Sequence, residues 1–133
     1  MPNKPEVFYP TCNLSTVRDG RGGIFTWVPP EPILEFNLLY FKPGALRGLH
    51  YHPEFVEYQL VVDGSGVLVF EDPQVESDEQ VIHLSKGVCV RVPVGVTHTV
   101  YAITEMTTVA MLTQRWDDCE RPAVRVGEWP ERP

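Results

Sequence analysis

Proline and glycine punctuate this chain so densely that it has almost no room for a helix. There are 13 prolines and 10 glycines in 133 residues, and no stretch keeps apolar residues at i, i+3, i+4 and i+7 over three turns before one of them intervenes. Between the breaks lie short runs rich in Val, Leu, Thr, Tyr and Phe, the side chains that fit a pleated surface. These runs predict strands at Ile24–Val28, Leu34–Phe41, Leu46–His52, Phe55–Val62, Gly66–Glu71, Gln80–Leu84, Val88–Val92, Thr97–Ile103 and Thr107–Arg115. Asp63-Gly64-Ser65 predicts a hairpin turn, because glycine supplies the positive φ of a tight turn. Asp72–Glu79 reads as a solvated acidic loop. Asp117–Pro133 carries proline and charge without periodicity and is expected to drape over the body or pack against a partner. Short strands with turns at regular spacing indicate an all-β sandwich, jelly roll or barrel. The length suits a single domain over residues 1–133.

Charge and cysteine usage narrow the function classes. The formal net charge is -7, which at long range repels phosphate backbones and argues against nucleic-acid binding. A small anion can still bind where a few basic side chains converge. No apolar run approaches the ~20 residues of a membrane helix. Met1–Pro10 includes Lys4 and Glu6 and has no apolar core, so no secretory signal is read there, and a cytoplasmic protein without membrane attachment is expected. Cys12, Cys89 and Cys119 are odd in number and widely spaced, which fits reduced thiols rather than a disulfide framework. Cys89 falls inside an apolar run and is expected in the core.

Three of the four histidines fall in two short segments. His50 and His52 are two apart on a predicted strand, so both imidazoles point to one face. Glu57 follows Pro53, where the chain can turn and bring its carboxylate back from the next strand. Pro93 and Gly95 make a bend just before His98 that can aim a third imidazole inward. Three imidazoles and one carboxylate suit a first-row divalent ion: Fe, Ni, Mn, Zn or Co. On an octahedral ion about two positions stay open for water or substrate, whereas on zinc four protein ligands can close the shell; the sequence leaves both open.

The two segments resemble the paired signature motifs of the cupin superfamily. G-x5-H-x-H-x4-E-x6-G is met by Gly44, His50, His52, Glu57 and Gly64, and G-x5-P-x-G-x2-H by Gly87, Pro93, Gly95 and His98. Ala102 stands where the superfamily's trailing Asn would be. The resemblance implies a double-stranded β-helix, a jelly-roll barrel, with motifs at 44–64 and 87–98 and metal on His50, His52, Glu57 and His98.

A narrower resemblance covers more of the chain. Asp19-Gly20-Arg21-Gly22 and Arg47-Gly48-Leu49-His50-Tyr51 are similar to the nucleotide-sugar branch of the cupins, which holds the dTDP-4-dehydrorhamnose 3,5-epimerases and dTDP-sugar 3,4-ketoisomerases. His52 replaces the epimerase Gln and matches the ketoisomerase H-x-H. The resemblance implies that Arg21 and Arg47 bind the phosphates and that His50 is the catalytic base. Tyr101 is the nearest counterpart of the epimerase tyrosine acid, and Tyr51 is the other candidate should His50 be engaged on a metal. The implied reaction is isomerisation or epimerisation of a nucleotide-linked keto sugar by removal of a proton α to a carbonyl. The ligand set equally suits a metal-dependent oxygenase or lyase on a small organic acid, and a noncatalytic small-molecule-binding cupin stays open. His83, Trp27 and Trp116 read as packing or surface residues. A homodimer is expected, with Met1–Val17 lying across a partner's sheet to cover an edge.

Overall fold

The computed structural model describes residues 4–10, 17–24, 26–71 and 79–127. Twelve strands run through them: β1 (Glu6–Phe8), β2 (Val17–Asp19), β3 (Gly22–Ile24), β4 (Glu35–Phe41), β5 (Leu46–Tyr51), β6 (Glu57–Asp63), β7 (Ser65–Glu71), β8 (Glu79–Ser85), β9 (Cys89–Val92), β10 (His98–Ala102), β11 (Met106–Leu112) and β12 (Val124–Arg125). A 3-10 turn covers Trp116–Asp118. Two five-stranded antiparallel sheets, ordered β1-β9-β6-β11-β4 and β12-β5-β10-β7-β8, pack as a jelly roll, and β2 and β3 form a separate hairpin.

Strict alternation creates the core. On β11, Met106, Thr108, Ala110 and Leu112 are buried while Thr107, Val109 and Met111 are partly exposed. On β7, Leu68 and Phe70 point inward against Phe41, Val61, Val90 and Val100. All of β9 is buried, because its outer face is covered as well. There Phe8 and Trp27 pack on Tyr58, and Arg91 is held by Glu31 at 2.8 Å and Glu6 at 3.8 Å. The Tyr58 hydroxyl also donates to Glu31. Cys89 lies in this layer as expected, and burial pushes its thiol up to about 12, which leaves it unreactive. Cys12 lies outside the described residues.

Several sequence expectations change. Asp63-Gly64-Ser65 does not close a hairpin: β6 and β7 belong to different sheets, so this turn carries the chain across the barrel. Gly64 has φ 84°, and a Cβ there would lie 2.0 Å from the Glu105 carbonyl oxygen, so only glycine fits the crossing. The strand expected at Ile24–Val28 ends at Ile24, with Phe25 outside the described residues, and Trp27 turns its ring to Phe8 and Tyr58 instead. The last long strand stops at Leu112 rather than Arg115. Glu6–Phe8 is the edge strand beside β9 of its own sheet. The acidic loop falls almost wholly outside the described residues. No helix among the described residues is long and apolar enough to cross a membrane.

Hydrogen bonding to Arg91 holds the Glu31 carboxyl below its ordinary value, against the opposing effect of burial. A depressed carboxylate contributes stability that is present above the unfolded value of about 4.5 and is lost as pH falls through the folded value. Glu31→Gln is therefore expected to cost about 1–3 kcal/mol at neutral pH. Denaturant melts at pH 7 and pH 3 check this: the gap between variant and wild type should shrink on acidification.

Candidate metal centre

A β-bulge sets the site. β5 pairs with β10 as His50 with His98, Gly48 with Thr99 and Arg47 with Val100, so Leu49 is the extra residue. Gly48 has φ 122° and Leu49 φ 54°. A Cβ on Gly48 would sit 2.5 Å from the His98 carbonyl oxygen, so glycine is required for this close approach. Leu49 is pinned on both sides: its N–H donates to Thr99 Oγ1 at 3.0 Å, and its carbonyl accepts from Val126 N–H at 2.8 Å. A regular strand would point residues three apart to opposite faces. The bulge cancels that, and Arg47 and His50 both line one cavity of about 900 Å³.

His52 and His98 are oriented by backbone carbonyls. His52 Nδ1–H donates to Pro122 O at 2.9 Å and His98 Nδ1–H to Val96 O at 3.0 Å. A carbonyl can only accept, so both rings keep the lone pair of Nε2 free to face the centre. The Pro93–Gly95 bend aims His98 and is tied to the other motif by Gly95 N–H donating to the His52 carbonyl at 3.0 Å. Phe55 stacks on His52 at 4.4 Å, and the Trp116 ring stands edge-on to it at 6.3 Å. The ring of His50, less buried than the other two, makes no hydrogen bond with the described residues.

The ligand-type nitrogens of His50, His52 and His98 lie within 4.8 Å of one another. Glu57 opens β6 and sets Oε2 3.6 Å from His52 Nε2 and Oε1 3.6 Å from His98 Nε2. Burial pushes the Glu57 carboxyl up, while His98 and His52 in their protonated forms and the Gln59 amide pull it down, to about 2. Burial, reinforced by the neighbouring His98 and His52, lowers His50 to about 4, and burial lowers His52 too. Neutral imidazoles and an ionised carboxylate are the donors a divalent ion requires. His52 Nε2 is buried without a hydrogen-bond partner. A buried nitrogen lone pair left unmet is costly, and a cation is the partner it fits.

The four residues expected to hold metal are thus brought together. Arg47 reaches the same cavity, and Lys42 and Arg125 add to its basic wall. Arg21 does not line it: its side chain is 91% exposed and is held by Asp19 at 2.7 Å, in a hairpin that joins neither five-stranded sheet among the described residues. Tyr51 and Tyr101 do not line it either, because each alternates with a residue that does, His50 and Val100. Sequence reading missed Gln59, Trp116 and Arg125. Gln59 stands two residues after Glu57, a spacing that signals the same face; nothing local signals the other two. Val124–Arg125 joins the site by pairing with His50–Tyr51.

A family model described as Cupin matches residues 34–115. No curated protein matches the sequence. Among solved structures, a 3,4-ketoisomerase from Helicobacter canadensis superposes with a TM-score of 0.75 at 18% identity, over 92% of this chain and 90% of that one. The 3,4-ketoisomerase QdtA from Thermoanaerobacterium thermosaccharolyticum, in complex with TDP, gives 0.76 at 15%, over 95% and 90%. The capsular polysaccharide assembling protein CapF from Staphylococcus aureus gives 0.63 at 25%, over 88% of this chain and 34% of that one. The first two likenesses are likenesses of fold.

The purified protein is expected to carry a divalent ion in near-stoichiometric amount, and His52→Ala to lose most of it. Elemental analysis of both checks this; full metal in the variant would show that the ion sits elsewhere.

Proposed function

Because this chain belongs to the cupin family, we propose that it is an isomerase or epimerase of a nucleotide-linked keto sugar, built around a divalent transition metal on His52, Glu57 and His98, with His50, expected from the sequence as a fourth ligand, left off the ion to act as base. The observation that carries the reading is the bulge at Leu49, which turns Arg47 and His50 onto one cavity wall. Arg47, Lys42 and Arg125 supply positive charge for a diphosphate, while the carbonyl end of the same ligand reaches the histidines. By their descriptions the two neighbours with the fullest overlap are 3,4-ketoisomerases, and QdtA, a sugar 3,4-ketoisomerase, is in complex with TDP, which supports the ligand class.

A bound divalent ion would supply Lewis-acid polarisation of a carbonyl at this centre. His50 takes the proton α to that carbonyl. Its ring has no backbone brace and is the most accessible of the three, whereas His52 and His98 are fixed by Pro122 and Val96. Tyr51 and Tyr101, carried over as alternatives, are less well placed for this step. The reading takes residues 1–133 as one cupin domain acting as a cytoplasmic homodimer. Edge strand β4, which leaves Phe36 75% and Leu38 72% exposed, supports the dimer.

A second reading is favoured by the donor set itself. The three imidazoles of His50, His52 and His98 and the Glu57 carboxylate, with about two positions open on an octahedral ion, suit a metal-dependent oxygenase or lyase on a small organic acid.

Incubation with TDP-4-keto-6-deoxyglucose in D2O, followed by mass spectrometry, separates the two. The wild type should place a deuteron on the sugar, and His50→Asn should keep metal while losing about a hundredfold or more in exchange rate. Absence of exchange, with oxygen uptake on small organic acids, would install the second reading; binding of TDP-linked ligands without turnover would mark a noncatalytic cupin.

Arg47→Ala should weaken TDP binding about tenfold at unchanged metal content, read by calorimetric titration. Unchanged affinity would place the phosphates elsewhere.

A further inference from the structure

Gln59 lies on the inner face of β6 and is only 5% exposed, at the wall of the cavity. Its Nε2–H donates to Glu57 Oε1 at 3.0 Å. This contact fixes which way the amide points: flipped, it would set a carbonyl oxygen against a carboxylate oxygen, two acceptors face to face. The carbonyl Oε1 is therefore turned away from Glu57. It is buried and accepts no hydrogen bond from the described residues. The residues paired with Gln59 across the sheet are Ala110 and Val90, whose side chains have no donor to offer. Thr108, also on the inner face of β11, has a hydroxyl that is itself unpartnered and does not serve Gln59. Ala110 lines the cavity beside Gln59 with a single methyl, which leaves space in front of the amide.

A buried acceptor held in place by its own donor half, and left unmet beside a cavity, is built to receive a hydrogen. We propose that Gln59 and the metal centre form a subsite for ligands that carry a hydroxyl group next to the oxygen facing the centre: α-hydroxy carbonyl or α-hydroxy carboxyl compounds. The hydroxyl donates to Gln59 Oε1 while the neighbouring oxygen lies at the histidines. The proposal rests on the metal-centre reading above and deepens it, since a keto sugar carries such a hydroxyl beside its carbonyl. Gln59 is thus a specificity residue through its oxygen and a positioning residue for Glu57 through its nitrogen. An amide is suited to this double role because its donor and acceptor diverge from one rigid plane.

The test uses the full chain loaded with cobalt(II), whose visible absorption reports ligand arrival at the centre. Glycolate and methoxyacetate are titrated separately; they share the carboxylate and the α-oxygen and differ in the donated hydrogen. Wild type should reach half-saturation with glycolate at a concentration about tenfold lower than with methoxyacetate. In Gln59→Leu that advantage should fall to near onefold at equal cobalt stoichiometry. Gln59→Met, longer and more flexible, serves the same comparison should the leucine variant fold poorly. No preference in wild type, as would follow if a metal-bound water occupied the amide oxygen, or the same preference in wild type and variant, overturns the subsite alone. Failure of wild type to take up cobalt overturns the metal centre and the subsite together. Neither probe carries a phosphate, so the result does not depend on whether nucleotide sugars bind.

Discussion

An ionised carboxylate buried inside a barrel is the constraint around which this molecule is arranged. Glu57 is nearly inaccessible and stays charged, and a buried charge survives only where surrounding groups compensate its lost hydration. The compensation comes from three directions. Gln59 on the same strand donates a hydrogen bond, and His52 and His98, from the opposing sheet and its following turn, set their Nε2 atoms 3.6 Å from the carboxylate, where they balance its charge when protonated or when a cation sits between them. Each histidine is in turn fixed by a carbonyl, one from the Pro93–Gly95 bend region and one from the C-terminal segment seventy positions away. Loosening any of these leaves a charge without its partners, so the site and the local fold stand or fall together.

The jelly roll makes that convergence possible because its two sheets hold β6 and β5–β10 face to face. Regular strands alone would not complete the site. The bulge at Leu49 resets the alternation of β5, so that Arg47 joins the histidine face it would otherwise oppose. Gly48 is the residue that permits it, and its neighbour is anchored by Thr99 and Val126. The C-terminal strand then pairs with β5 and adds Arg125 to the wall. A barrel with a charged mouth is thus produced by one extra residue and one short strap.

Much of this was legible in the sequence, and the boundary of legibility is physical. Period-two alternation and the two motifs carried the sheet strands, the jelly roll and the meeting of His50, His52, Glu57 and His98. They failed where long-range pairing decides. Asp63-Gly64-Ser65 has hairpin chemistry, but which sheet each flanking strand joins depends on β9, β10 and β11, not on the turn. Val124–Arg125 is too short to announce itself as a strand and exists because β5 offers it an edge. Arg47 illustrates the subtler case: a regular strand puts it opposite His50, and only the left-handed backbone at Leu49 reverses this. A leucine in that conformation is uncommon, so residue type gave no warning. Gln59 was readable by period and was passed over because an amide carries no charge to attract notice.

The outer and inner faces of the sheet built on β6 bury polar groups in contrasting ways. On the outer face Arg91, Glu31 and Tyr58 satisfy one another, with Glu6 nearby, and the cluster serves to pin the N-terminal segment over β9. On the inner face the same strand presents His52's neighbour Glu57 and then Gln59, yet His52 Nε2 and Gln59 Oε1 find no protein partner. Folding stability alone would favour closing such gaps, either with a matching side chain or with an apolar one. A lone pair seeking a cation and an acceptor seeking a hydrogen, placed at one cavity, are needs of opposite chemical sense. A metal ion meets the first and a hydroxyl the second, so these two inner groups are completed from outside the chain, whereas on the outer face Arg91, Glu31 and Tyr58 complete one another and leave Glu6 Oε1 at 3.8 Å from Arg91 without a hydrogen bond.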